Sequence, residues 1–267
     1  FRLRRQLLKL IEQTAVMQIE QSAFVLHSRP YRETSAMVDL FTPDYGLVRC
    51  IARGVKKTMS QGQALQPFIE YQVFFHGDSG LKNLDKYESQ GLPLALKGDA
   101  LFSGFYVNEV ILRALRTDAE VEAEYLYEAY EGALHNLQNQ ELELALRTFE
   151  ITLLEHMGQS YEWDMDFKTA DYVEDDCHYG FFVEQGMSRV SHIYAAKNPN
   201  NCFYGQDLKR LAQGDISAAS TLKMCKRLLR LALKPIIGYK PIQARELLKQ
   251  YKNVNSKEFI IKAINLH

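Results

Sequence analysis

From Ser22 to Ser89 the chain offers five short runs of strand character, with no helical periodicity between most of them. They are Ser22–His27, Ala36–Phe41, Leu47–Arg53, Phe68–His76 and Leu81–Ser89. Each is rich in β-branched, aromatic or other apolar residues and is bounded by turn formers. Phe68–His76 is the clearest: Ile69, Tyr71, Val73 and Phe75 share one face, and Glu70, Gln72, Phe74 and His76 share the other. In Thr42-Pro43-Asp44-Tyr45-Gly46, Pro presets one dihedral and Gly accepts a positive φ, so a tight reversal is predicted. Ser28–Glu33, which contains Pro30, reads as a polar turn, and Gly77–Gly80 as a hairpin. Five such strands in about 70 residues suggest a small barrel, and both OB-fold and SH3-like barrels fit the pattern.

After Leu92-Pro93-Leu94 the period changes to that of a helix. Asp99–Arg116 carries Leu101, Phe105, Asn108, Leu112 and Leu115 on one stripe, with Asp99 as N-cap. Glu120–Leu137 and Glu141–Met157 are two more helices, acidic near their starts, and Gly158 can end the second. Residues 159–205 break the pattern and read as an irregular or small β insertion. Asp207–Gln213 and Ser217–Leu233 follow as helices. Pro241 opens a last helix through Tyr251. The fold class is therefore α+β: a barrel over 19–97, then a helical domain over 98–267 interrupted by the insertion. Residues 1–18 read as a basic extension, peripheral or non-native, with Met17 a candidate natural start and no signal-peptide h-region.

The net charge of −1 conceals segregation. Residues 19–98 carry 9 basic and 8 acidic side chains, 99–200 carry 6 and 20, and 201–267 carry 13 and 4. Such polarity suits a protein that meets DNA on one side and other proteins on another. No run of about 18 apolar residues marks a membrane span. The four cysteines, at 50, 177, 202 and 225, form no CxxC pair, which fits a reduced cytosolic protein with no metal site. Cys50 and Cys225 fall on apolar faces and read as small hydrophobes. No phosphate loop, dinucleotide fingerprint, HExxH or GxSxG is present, and the seven histidines are scattered. An enzyme is thereby disfavoured and no cofactor is indicated.

Two basic surfaces stand out. Arg49 and Arg53 leave one face of their strand, with Lys56 and Lys57 continuing the charge beyond Gly54. Spaced cations of this kind suit a phosphate backbone, although most paired surface arginines are only a solvated strand face. On a wheel at 100° per residue, Lys223, Lys226, Arg227, Arg230 and Lys234 fall within an arc of about 100°. Leu222, Cys225, Leu229, Ala232 and Leu233 face elsewhere. Like charges three and four apart repel, so an anionic partner would relieve them, although a solvated amphipathic face accounts for the stripe equally. Lys240 and Arg245 extend this second surface.

Five stretches together resemble the bacterial RecO recombination mediators over roughly residues 20–252. They are AFVLHSRPYRETSAMVDLFT at 23–42, GLVR leading into ARGVKK, QALQPF at 63–68, LFSGFYVNEVILRAL at 101–115 and LALKPIIGYKPIQARELL at 231–248. The resemblance implies an N-terminal OB-fold, a C-terminal helical domain and a non-enzymatic role in DNA recombination and repair after damage. It implies binding of single- and double-stranded DNA, annealing of complementary strands, and recognition of the acidic C-terminal tail of single-stranded-DNA-binding protein (SSB). With RecR, such proteins help load RecA on SSB-coated strands, acting as cytoplasmic, nucleoid-associated monomers. Some members hold zinc in two CxxC pairs in the region matching 159–205; only Cys177 and Cys202 stand there in this chain, so no zinc is expected. On this basis Arg49, Arg53, Lys56 and Lys57 are candidate phosphate ligands, with Tyr31 and Phe41 as base-stacking platforms. The surface around Lys223–Lys234 is the candidate for the SSB tail. A protein-binding adaptor that recognises acidic peptides, with a purely structural barrel, is the competing reading.

Overall fold

The computed structural model describes residues 18–54, 65–77, 80–117 and 122–264, with side chains through Val254. Two compact units divide the chain. One holds the barrel, through Leu94, together with Leu115–Tyr127; the other holds Ala95–Ala114 and the chain from Glu128 onward.

The barrel strands are β1 (Ile19–Tyr31), β2 (Ser35–Thr42), β3 (Gly46–Ala52), β4 (Glu70–His76) and β5 (Lys82–Ser89). They close in the order β1-β2-β3-β5-β4, with β3 and β5 parallel and the other pairs antiparallel. This connectivity is that of an OB-fold and decides between the two barrels the sequence allowed. Ala23, Val25, Val38, Leu40, Val48, Cys50, Val73 and Phe75 fill the interior, as period-2 alternation requires. Gly46 takes φ 59° where β2 reverses into β3.

Of the polar turn expected at Ser28–Glu33, Ser28–Tyr31 is instead the outer end of β1, and Arg32 and Glu33 make the turn. Pro30 is accommodated in the strand opposite Ala36, and the reversal falls after Tyr31, where Arg32 adopts φ 54°. Strand β1 is thus 13 residues long and pairs with β4 through its first half and with β2 through the rest. A register shift between Val25 and His27 bends it around the barrel.

A second buried layer lies outside the barrel. Phe24 and Phe41, on the faces opposite the interior, pack on Tyr127 with ring centroids 5.4 and 5.5 Å apart. The Tyr127 hydroxyl donates to Glu70 Oε1 at 3.1 Å, and the Ala123 amide donates to the Pro43 carbonyl at 2.7 Å.

The helical unit contains α1 (Asp99–Ala114), α2 (Glu124–Gln138, whose first turn belongs to the barrel unit), α3 (Leu142–His156), α4 (His192–Lys197), α5 (Gly205–Ala212), α6 (Ala219–Ala232), α7 (Lys234–Ile237) and α8 (Gln243–Ile264). Helix α1 packs on α8 and α3, and α3 packs on α6. The buried residues of α1 are Ala100, Gly104, Tyr106, Val107, Asn108, Val110, Ile111 and Ala114, not the expected stripe; of that stripe, Asn108 alone is buried and the leucines and Phe105 are only partly covered. Ala100, Gly104 and Ala114 carry little side-chain bulk, so a stripe of large apolar residues does not mark them. Helix α3 ends before Gly158, at φ 72°.

Helix α8 starts at Gln243 rather than Pro241 and runs past Tyr251 to Ile264. Its N-terminus is capped from α1: Glu109 Oε1 accepts from the Gln243 amide at 2.9 Å and Oε2 from the Ala244 amide at 3.0 Å. Arg113 ties down the preceding residues by donating to the Lys240 and Pro241 carbonyls, each at 2.7 Å.

The insertion is a three-stranded sheet, β6 (His178–Phe182), β7 (Gly186–Arg189) and β8 (Cys202–Tyr204), in the order β7-β6-β8. Tyr161 packs on both Trp163 and Phe181, at 4.9 and 5.2 Å between centroids. Asp166 Oδ2 accepts from the Arg189 amide at 2.7 Å and its Oδ1 from the Lys168 amide at 2.9 Å. Among the described residues no three His, Cys, Asp or Glu side chains converge as metal ligands would. Cys177 Sγ donates to Glu174 at 3.3 Å, and Arg189 Nη2 donates to Cys177 Sγ at 2.9 Å, while Cys202 is buried.

Candidate nucleic-acid and anion-binding surfaces

On the barrel, the strand register aligns His27, Asp39 and Arg49 across β1, β2 and β3. Arg49 Nε donates to Asp39 Oδ1 at 2.5 Å, and His27 Nδ1 lies 3.8 Å from Asp39 Oδ2. The Asp39 side chain is 6% exposed, so Arg49 serves a nearly buried carboxylate before it can serve a phosphate. Arg53 is exposed and makes one weak contact, Nη2 to Asn83 Oδ1 at 3.3 Å. Tyr31 is partly buried, with the Arg32 guanidinium 5.1 Å from its ring centroid. Phe41 is fully buried against Tyr127, so it is no stacking platform. Lys56 and Lys57 lie outside the described residues.

In the helical unit, Lys223, Lys226, Arg230, Lys234 and Lys240 are exposed. Arg227 departs from the expected stripe. It is half-buried, donates from Nη2 to the Cys202 carbonyl at 2.7 Å and stacks over Phe203 at 4.7 Å, fixing α6 to the insertion. Lys234 lies over the Tyr239 ring at 5.2 Å.

The structure gathers Lys226, Arg230 and Arg245 around one cavity of about 350 Å³, lined by α1, α3, α6 and α8. Phe102, Leu142, Leu146 and Leu248 supply apolar wall, and Arg147, Lys249 and Lys252 bring the cations to six, against two acids, Asp99 and Glu143. Arg245 lies 4.5 Å from the centroid of Tyr106. Lys223, Arg227, Lys234 and Lys240 do not line the cavity.

Arg147 is the residue that sequence reading missed. Its side chain is 2% exposed; Nη2 donates to Glu150 Oε1 at 2.9 Å, while Nε and Nη1 have no hydrogen-bond partner. The Tyr106 hydroxyl donates to the same Glu150 oxygen at 2.5 Å. Burial pushes the Glu150 carboxyl above its ordinary range, against the opposing pull of Arg147 and Tyr106. Burial and the Glu150 charge push the Tyr106 phenol up in turn. The signal was present in ELALRTFE: a lone cation amid apolar residues, with Glu143 four before it and Glu150 three after.

The connectivity of β1 to β5 defines an OB-fold protein with an appended helical unit. The family described as Recombination protein O N terminal matches residues 17–91, and Recombination protein O C terminal matches residues 96–239. The DNA repair protein RecO of Idiomarina loihiensis is 39% identical over 236 residues, 87% of this chain and 98% of its own length. That of Pseudomonas putida is 40% identical over 233 residues, with the same coverage. That of Salmonella enteritidis is 37% identical over 234 residues, 86% of this chain and 94% of its own. The chain belongs to the RecO family of DNA repair proteins. Among the described residues no helix is long and apolar enough to cross a membrane.

Proposed function

We propose that this chain is a non-enzymatic recombination mediator of the cytoplasm and nucleoid, acting as a monomer. In this reading it binds single- and double-stranded DNA without sequence preference, anneals complementary strands and, with RecR, helps load RecA on SSB-coated DNA. The observation that carries it is the cavity of the helical unit. An apolar wall beside six cations is the complement of a peptide tail that ends in an apolar residue and a free carboxylate. Arg147 is the natural carboxylate ligand, because two of its guanidinium nitrogens are buried without a hydrogen-bond partner. Lys226, Arg230 and Arg245 attract the acidic residues that precede the tail's end.

For DNA, the barrel offers Arg53 and, beyond the Asp39 pair, Arg49. The exposed Lys223, Lys234 and Lys240 offer phosphate contacts away from the cavity. Annealing needs no chemical step. Two strands must be held close while their charges are screened, with bases left free to pair. The adaptor reading draws on the burial of Phe41 and the pairing of Arg49, both of which weaken the barrel as a DNA surface.

Fluorescence anisotropy with labelled oligo-dT across a salt series separates the two. DNA binding through several phosphates gives a log–log slope of about −0.7 per phosphate, whereas one short peptide gives a shallower dependence. If Arg49→Ala/Arg53→Ala loses affinity and slope while Lys226→Ala/Arg230→Ala keeps them, the barrel holds DNA and the cavity serves the tail. Failure of the unaltered protein to bind oligo-dT at low salt overturns the mediator reading in favour of the adaptor.

A further inference from the structure

Glu143 places its two carboxylate oxygens on two cations of the cavity. Oε1 lies 2.5 Å from Lys226 Nζ, and Oε2 lies 4.0 Å from Arg147 Nη1. Lys226 and Glu143 are each about half exposed (48% and 46%), whereas Arg147 is enclosed at 2%. On α1, Asp99 Oδ2 pairs with Lys252 Nζ in the same way, at 2.7 Å. All five residues line the cavity. The chain's own carboxylates thus sit against the cations that an anionic ligand needs.

We propose that Glu143 is an internal stand-in for the ligand's carboxylate. It neutralises Lys226 and stands opposite the unpartnered Nη1 of Arg147 while the cavity is empty, and gives them up when an acidic peptide with an apolar, carboxylate-bearing end enters. The proposal rests on the reading of this cavity as a peptide-tail site. Three features fit a displaceable contact rather than a structural one. An ion pair this exposed is weak, so a ligand exchanges it at small cost. The geometry to Arg147 is too long for a hydrogen bond, and Nη1 is left without a partner. Glu143 also stands in the first turn of α3, where the helix dipole favours a carboxylate that has lost its lysine.

The consequence is selectivity at the expense of affinity. A ligand that brings its own carboxylates replaces Glu143 and leaves no cation unpaired. A neutral apolar peptide finds Lys226 already paired with Glu143 and gains only apolar contact.

The test uses the full chain and a short labelled peptide of aspartates ending in a phenylalanine with a free carboxylate, followed by anisotropy. The variants are Glu143→Gln, Arg230→Ala and, as an equal change of charge two residues away, Glu141→Gln; Glu141 is exposed and its side chain makes no capping hydrogen bond. Glu143→Gln is expected to bind about three- to fivefold tighter, as loss of one competing exposed pair implies. Glu141→Gln should stay close to the unaltered protein, and the gain should vanish for an uncharged, amidated peptide. Damage to the fold would lower affinity, so a gain is not its signature. If Arg230→Ala weakens binding but Glu143→Gln binds no tighter than Glu141→Gln, the stand-in role is wrong and the tail site stands. If the unaltered protein does not bind the peptide, or Arg230→Ala changes nothing, the tail site is wrong and the proposal falls with it.

Discussion

Arg49 and Asp39 face each other across β3 and β2, with the guanidinium Nε 2.5 Å from a carboxylate that is 6% exposed. The strand cation most clearly suited to phosphate is therefore already engaged, and its Coulomb attraction for DNA is partly cancelled. Asp39→Asn should release it. The expected result is tighter binding of oligo-dT and a salt slope steeper by up to about 0.7. The pair itself is about one-third exposed on the Arg49 side, so the loss of stability should be about 1 kcal/mol or less. Anisotropy across a salt series and a thermal melt measure both. An unchanged affinity and slope would place the DNA elsewhere than on this face of the barrel.

Arg147 and Glu150 make the second prediction. Burial holds the Glu150 carboxyl above its ordinary value, and Arg147 pulls it back. Arg147→Met removes that pull, so the carboxyl moves further up. A carboxyl whose folded pKa lies above its unfolded one favours folding only below the unfolded value, and loses that contribution as pH rises through the folded one. The variant should therefore lose about 3–5 kcal/mol at pH 7 and markedly less at pH 5. Arg147→Met/Glu150→Gln should recover most of the loss at pH 7. Thermal or urea melts at the two pH values decide it; equal losses would mean that Glu150 is not the group left stranded.

Asp166 gives the opposite sign. Burial raises its carboxyl, but hydrogen bonds from the Arg189, Lys168 and Thr169 amides and the Ser188 hydroxyl outweigh burial and hold it below the ordinary range. A depressed carboxyl stabilises above its unfolded pKa, about 3.9, and that contribution is lost as pH falls through the folded value. Between pH 5 and pH 2 the unaltered protein should lose stability in the insertion. Asp166→Asn should start about 1–3 kcal/mol less stable at pH 7 and show a flatter acid limb. The near-ultraviolet signal of Trp163, the only tryptophan, reports on this sheet directly.

Much of the fold is legible in the residues. Ile69, Tyr71, Val73 and Phe75 alternate cleanly because one face of β4 is core and the other is not. Strand β2 alternates less cleanly, since Asp39 and Phe41 on its outer face are buried as well. A period-2 pattern sorts the two faces correctly but cannot tell a wet outer face from one covered by Tyr127, which is distant in sequence. Pro30 misled in the same region: it ends a strand by local rules, yet β1 tolerates it where strand pairing fixes an extended backbone. On α1, the burial of Ala100 and Gly104 is invisible to a search for large apolar side chains.

The site was legible in part. The wheel of α6 located the exposed Lys226 and Arg230. It could not separate them from Arg227, whose carbonyl partner Cys202 lies 25 residues away. Charge counts favour exposed cations, so the enclosed Arg147, with two buried nitrogens that have no hydrogen-bond partner, escaped notice. Its role depends on packing of α1, α3, α6 and α8 together, which no local pattern encodes.

Annealing of complementary oligonucleotides, with no nucleotide or metal added, tests the mediator reading most directly. It is run on naked strands and on strands coated with SSB, comparing the unaltered chain with Lys226→Ala/Arg230→Ala. The expected result is annealing of both substrates by the unaltered chain, and of the naked strands alone by the variant, because in the proposed function the cavity serves only to engage the SSB tail. If the unaltered chain anneals neither substrate, or if the variant handles SSB-coated strands as well as the unaltered chain does, the functions assigned to the barrel and the cavity are contradicted.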